Sequence, residues 1–189
     1  RGATRDALLA PPPPRSRKAT RCFSNCSRLP TMSIDVTGQC LCGKVKFAAK
    51  GDPMMSCLCH CRACSRAVGM SPVHLLGVGT DSFSYTEGAD DVEVVQGMGK
   101  MEHVYCKSCH GMVEQHPKGA GFVALLPATF RCETPDSSNP CGVSCKLPAE
   151  LVPNIHINYE NRHYDWNDDL PKFVGFPGSA KLKNDGTPA

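Results

Sequence analysis

Regular alternation of apolar and polar positions begins at Ser33. Lys44-Val45-Lys46-Phe47 alternates with the period of a strand, and Gly51-Asp52-Pro53 ends it. Val92–Val95, His103–Tyr105, Phe122–Leu126 and Ile155–Tyr159 carry further strand patterns, separated by turns rich in Gly, Pro and Asn. Ala63–Val68 suits a short helix. Few long apolar periodic runs occur, so the chain reads as mainly β, with few short helices and many turns. No internal repeat is evident. No segment approaches the roughly eighteen uninterrupted apolar residues of a membrane-spanning helix.

Composition refines this picture at the two ends. Residues 1–31 carry seven Arg or Lys against a single Asp, and Pro11–Pro14 interrupt them. Basic, acid-poor and proline-broken, this block is expected to be disordered. It is read either as an organellar transit segment or as an extension upstream of a start at Met32. The chain is placed in the cytoplasm, or in an organelle if the block is a genuine transit segment. The overall charge is +3, so without this +6 block the remainder is about −3. No basic excess recommends nucleic acid as a partner. Residues 33–177 are expected to form one metal-binding domain and 178–189 a flexible tail.

The cysteines decide the chemistry. There are thirteen, about 7% of the chain, and seven fall into three tight groups. These are Cys40 and Cys42 in GQCLCGKVKF, Cys59, Cys61 and Cys64 in CHCRACSRA, and Cys106 and Cys109 in YCKSCHG. An odd total bunched as CxC and CxxC reads as metal binding in a reducing compartment rather than as a disulfide framework. A CxC pair on an extended strand points both sulfurs to one face, and a CxxC turn brings two thiolates together. Cys40, Cys42, Cys106 and Cys109 thus make one closed four-thiolate zinc site joining two distant hairpins. Cys59, Cys61 and Cys64 offer three thiolates and leave a fourth position open. Cys57 could close that site instead. However, Cys57, Cys59 and Cys61 along one strand face would be spaced about 6–7 Å per step, and wrapping them around one ion needs a bend.

Charge suggests what an open site would do. Zinc with three thiolates carries a net −1, which makes it a weaker Lewis acid than zinc held by three neutral histidines. Such a site is less suited to ionising water than to taking a fourth, soft thiolate, and the thiolate is the reactive form of a thiol. A thiol substrate follows. Where the thiol also carries two carboxylates, as the resemblance given next implies, Arg62 and Arg66 are the candidates to meet them.

The three cysteine blocks, with the closing run INYENRHYDWNDDLPKF, resemble the glutathione-dependent formaldehyde-activating enzymes, a family that includes centromere protein V. The resemblance covers roughly residues 33–177. It implies a β-tent fold of antiparallel sheets stapled by zinc, with two zinc ions per chain. Structural zinc falls on Cys40, Cys42, Cys106 and Cys109, and catalytic zinc on Cys59, Cys61 and Cys64. The implied activity is a carbon–sulfur lyase reaction in reverse, joining formaldehyde to glutathione as S-hydroxymethylglutathione. Two departures stand out. His110 precedes Gly111 where the family usually has Gly directly after the second knuckle, and residues 127–150, with Cys132, Cys141 and Cys145, fall outside its pattern.

The remaining residues read more plainly. His60, between two ligands, is expected to point away from the metal, and His156 reads as a core histidine. Trp166 is expected to pack, and Cys22 and Cys26 to be idle. The competing function is a zinc-stabilised binding module without catalysis, which gains if Cys57 closes the second site. Methionine sulfoxide reduction would need a reactive C-terminal cysteine, and Cys132 is a poor candidate.

Overall fold

The computed structural model of the chain describes residues 33–131 and 147–189. The basic extension, Cys132, Cys141 and Cys145 lie outside the described residues.

Two sheets are built from short strands. β1 (Ile34–Gln39), β2 (Lys46–Gly51) and β5 (Phe83–Glu87) form an antiparallel three-stranded sheet in the order β1-β2-β5. The second sheet holds β3 (Met55–Cys59), β4 (Val73–Gly79), β6 (Val92–Gln96), β7 (Met101–Cys106), β8 (Met112–Pro117) and β9 (Phe122–Leu125). It is completed by β10 (Ile155–Ile157), β11 (Lys172–Phe173) and β12 (Lys181–Leu182), in the order β12-β11-β10-β3-β4-β9-β8-β7-β6. Pairing is antiparallel except at β3–β10 and β10–β11, which are parallel. One helix, α1 (Arg62–Val68), stands among the described residues, directly after β3. No helix there is long and apolar enough to cross a membrane.

The expected strands are present with shifted ends. β2 starts two residues later than the alternation suggests, because Gly43 and Lys44 belong to the turn before it. β10 stops at Ile157, since Asn158 turns left-handed at φ 52. Residues 178–189 are not a loose tail. β12 pairs with β11, Tyr159 donates its hydroxyl proton to the Asn184 carbonyl at 2.6 Å, and the Ala189 amide bonds the Lys181 carbonyl at 3.1 Å.

Successive side chains alternate faces, so the large sheet buries two separate apolar surfaces. Leu76, Val78, Val113, Val123 and Leu125 face the small sheet and meet Phe47, Val45 and Ala49. Phe47 lies across from Gly38, where any Cβ would run into the phenyl ring. Emptying that position, Phe47→Ala, would cost about 3–5 kcal/mol. The opposite surface carries Cys57, Cys59, Val73, Leu75, Ala124 and Ile157, and α1 covers it with Cys64 and Val68. Each cysteine group belongs to one of these two surfaces.

A buried polar contact also ties the sheets together. Glu114 on β8 accepts from the Tyr85 hydroxyl of β5 at 3.4 Å and pairs with His116 at 2.9 Å. Burial raises the Glu114 carboxyl above its ordinary range, against the His116 and Tyr85 donors that pull it down. An acid with a higher pKa folded than unfolded stabilises fully below the unfolded value, and that contribution is lost as pH rises through the folded one. Glu114→Gln, uncharged at every pH, is therefore expected to melt above wild type at neutral pH, by on the order of 1 kcal/mol. The advantage should vanish below about pH 4.5. Thermal melts at the two pH values check this, and a lower melting point at neutral pH contradicts it.

Candidate metal centres

All eight cysteines of the described residues are free thiols, and seven converge in two groups. Cys40 and Cys42 sit in the turn between β1 and β2, closed by the Gly43 amide on the Cys40 carbonyl at 3.0 Å. The extended-strand geometry expected for this CxC pair is replaced by a knuckle. Cys106 ends β7, and Cys109 lies in the turn before β8. The four sulfurs lie within 4.8 Å of one another, with Cys40–Cys42 at 3.5 Å and Cys42–Cys106 at 3.8 Å. Backbone amides of Val45 and Ser108 point at Cys40 and Cys106, at 3.3 and 3.4 Å. Burial would raise the Cys109 thiol, but the Gly111 and Cys42 amides and the neighbouring thiols outweigh it and hold it down to about 6. Four converging sulfurs, two of them held below the usual thiol range, fit a soft divalent cation.

His110 explains its own oddity. Its φ is 55, and its amide bonds the Cys106 carbonyl at 2.9 Å. The turn is retained by a left-handed residue where glycine would be free of strain, at a cost of about 1–2 kcal/mol.

In the second group, Cys59 ends β3, Cys61 caps α1 and Cys64 lies in its first turn. Their sulfurs also lie within 4.8 Å of one another. Each sulfur receives one N–H donor from a different place: Asn158 Nδ2 to Cys59 at 3.6 Å, the Cys64 amide to Cys61 at 3.3 Å, and Gln115 Nε2 to Cys64 at 3.2 Å. The Cys59 and Cys64 thiols, donating to Cys61, hold it down to about 2. Hydrogen bonding to Cys61 in turn pushes Cys59 up to about 11, and the bonds to Cys59 and Cys61 raise Cys64. Hydrogen bonding among the three sulfurs thus favours ionisation at Cys61, in a donor set that suits a cation.

Cys57 stands outside this group. It shares the buried surface with Cys59, and burial pushes its thiol up to about 12. Cys57→Ala should therefore keep the second site's metal and cost only the about 1–2 kcal/mol of a small buried side chain. Metal analysis checks this, and loss of one equivalent in the variant would make Cys57 a ligand.

The other expected residues are placed as follows. Arg62 and Arg66 line a cleft of about 280 Å³ with Ser65, Met70, Ser71 and His163. At about 100° per residue, they leave α1 on a different face from Cys61 and Cys64, beside the sulfurs rather than on them. His60 is buried, with Nε2 2.8 Å from His156 Nδ1 and Nδ1 without a partner. Trp166 packs at the aromatic cluster of His60, His156 and Tyr164. Gln115 and Asn158 were not singled out by the sequence. A buried Gln on a strand carries no local signal, whereas an Asn closing a strand marks a left-handed turn.

A family profile described as "Glutathione-dependent formaldehyde-activating enzyme" matches residues 35–141. No curated protein matches the chain. A crystal structure of a Rhodobacter sphaeroides protein is similar at 17% identity, covering 54% of this chain and 92% of that one, with a TM-score of 0.42.

Proposed function

The chain belongs to the glutathione-dependent formaldehyde-activating enzyme family, and from that premise we propose that it joins formaldehyde to glutathione, giving S-hydroxymethylglutathione. The observation that carries this reading is the second cysteine group, in which three sulfurs converge without a fourth ligand group among the described residues. Cys40, Cys42, Cys106 and Cys109 would hold a structural zinc ion, and Cys59, Cys61 and Cys64 a second. Zinc bound by those three thiolates would supply a soft Lewis acid beside which a thiol ionises near neutral pH.

The protein's own groups define the rest. The Asn158 and Gln115 amides and the Cys64 backbone N–H keep the three cysteine sulfurs oriented and temper their nucleophilicity. The cleft beside α1 offers the Arg62 and Arg66 guanidiniums to the carboxylates of the tripeptide. The reaction balances without an oxidant or reductant. The thiol sulfur forms a bond to the aldehyde carbon, the carbonyl π bond breaks, and the proton lost by the thiol ends on the new hydroxyl.

The test follows the one-carbon adduct by ¹³C NMR with glutathione and labelled formaldehyde, against a control without protein, since the two also combine unaided. Protein holding two zinc ions should raise the rate by at least about a hundredfold, the lower end of what a positioned proton acceptor contributes. Equal rates with and without protein would remove the reaction and leave a zinc-stabilised binding module.

A further inference from the structure

Beside the second cysteine group runs a chain of four polar side chains, three buried and Asp168 half-buried, that the proposed reaction does not use. Lys172 is almost fully buried, and its ammonium meets Asp168 Oδ1 at 2.5 Å and the Asp168 and Leu170 carbonyls at 3.1 and 3.0 Å. Asp168 Oδ2 lies 2.9 Å from His156 Nε2, and His156 Nδ1 lies 2.8 Å from His60 Nε2. His60 is flanked by Cys59 and Cys61. Two of the four, Asp168 and Lys172, come from the closing run of the chain, which the cysteine chemistry leaves unexplained, and His156 immediately precedes it.

The order of donors fixes the protons. The Lys172 ammonium has only protons to give, so Asp168 meets it as a carboxylate and accepts from His156 Nε2–H as well. Burial would raise Asp168, but its Lys172 and His156 donors outweigh that and lower it. Lys172 already balances the Asp168 carboxylate, so the contacts call for no charged ring, and the 2.8 Å contact between the two rings holds one proton. With His156 protonated at Nε2, its Nδ1 is a bare acceptor, and the proton between the rings belongs to His60 Nε2. The Nδ1 atom of His60 is then bare, in agreement with its lack of a partner.

We propose that the chain Lys172–Asp168–His156–His60 is a positioning device that fixes the loop carrying Cys59 and Cys61. The same short segment grips this loop twice more. The His60 amide bonds the Ile157 carbonyl at 3.0 Å, and Asn158 donates to the Cys59 sulfur. The His156 ring, bonded at both nitrogens, fixes the His60 ring and with it the backbone between two ligands, so the sulfurs keep their separation when no cation draws them together. Partners of this kind, one layer behind the ligands, change metal affinity by about 10–100-fold.

The inference rests on the second group being a metal site, and two measurements separate the fates of the two ideas. In ¹⁵N-edited NMR of the zinc-loaded full chain, His60 and His156 should both be protonated at Nε2 and bare at Nδ1. Comparison with His156→Gln assigns the signals. A His60 ring protonated at Nδ1 overturns the chain. In chelator competition, Asp168→Ala should lose the second zinc about 10–100-fold more readily than wild type while keeping the first. The pair Asp168→Asn with Lys172→Met removes both charges but leaves an acceptor for His156, and should retain the second zinc within about threefold of wild type. Wild-type retention in a folded Asp168→Ala protein, or equal loss in the paired variant, overturns the positioning role. A wild-type protein holding one zinc would sink the metal-site reading itself, whatever the tautomers prove to be.

Discussion

Cys106→Ser should leave the chain without a cooperative fold. Cys106 is fully buried at the end of β7, inside the apolar surface shared by the two sheets. Its sulfur is 3.8 Å from Cys42, which belongs to the turn of the other sheet and lies 64 residues away in sequence. A cation held by these four sulfurs therefore links two sheets that otherwise meet through side-chain packing and a few polar contacts such as Glu114–Tyr85 and Lys44–Ser108. Structural zinc binding is worth about 10–16 kcal/mol in small peptides, against a net stability of about 5–15 kcal/mol for a whole domain. Losing even half of the metal's share would consume most of the net stability. Serine makes matters worse, because its hydroxyl stays protonated near neutral pH and is left in an apolar site. The expected result is a protein that lacks a thermal transition and is digested rapidly by protease. A Cys106→Ser protein that melts within about 5 °C of wild type, a shift worth roughly 1 kcal/mol, would show that the first group does not hold the fold together.

The sequence made some of this legible and hid the rest for identifiable reasons. The CxC and CxxC spacings pointed to the cysteines that converge, because a cluster assembled from local pairs leaves those pairs visible in a one-dimensional reading. The local backbone was less legible. Cys40 and Cys42 share a site through a turn instead of a strand face, and both geometries satisfy the same spacing. β4 was missed because Val73–Gly79 lies between β3 and β9 with most of its side chains buried on both faces, so VHLLGVG shows no alternation. β8 was missed for the opposite reason. Glu114 and Gln115 are polar yet buried, each engaged by a distant partner, Tyr85 or Cys64. The run of residues after His156 looked like a family marker without a role. Its Asp168 and buried Lys172 acquire meaning only through His156, which itself meets a histidine 96 residues earlier, a relation that no local pattern records.

Cys61→Ser should do the reverse of Cys106→Ser: preserve the fold and abolish the chemistry. Cys61 is half-buried, belongs to neither sheet, and caps a helix of seven residues. Serine is an accepted capping residue, so the helix start survives the change at little cost. What disappears is the sulfur at which ionisation is favoured, because the Cys59 and Cys64 thiols donate to Cys61. The two remaining sulfurs, 3.9 Å apart, offer only two of the ligands that a bound zinc ion needs, a poor site for a cation. The variant should therefore contain one zinc ion per chain where wild type contains two, melt within a few degrees of wild type, and form the adduct at the rate of the protein-free control. The combination of readouts matters. If both zinc ions remain with full activity, Cys61 is not a ligand. If activity survives with one zinc, the chemistry does not take place at the three-cysteine group. Either result breaks the link between that group and the reaction, while a folded, one-zinc, inactive protein assigns the two cysteine groups to separate tasks.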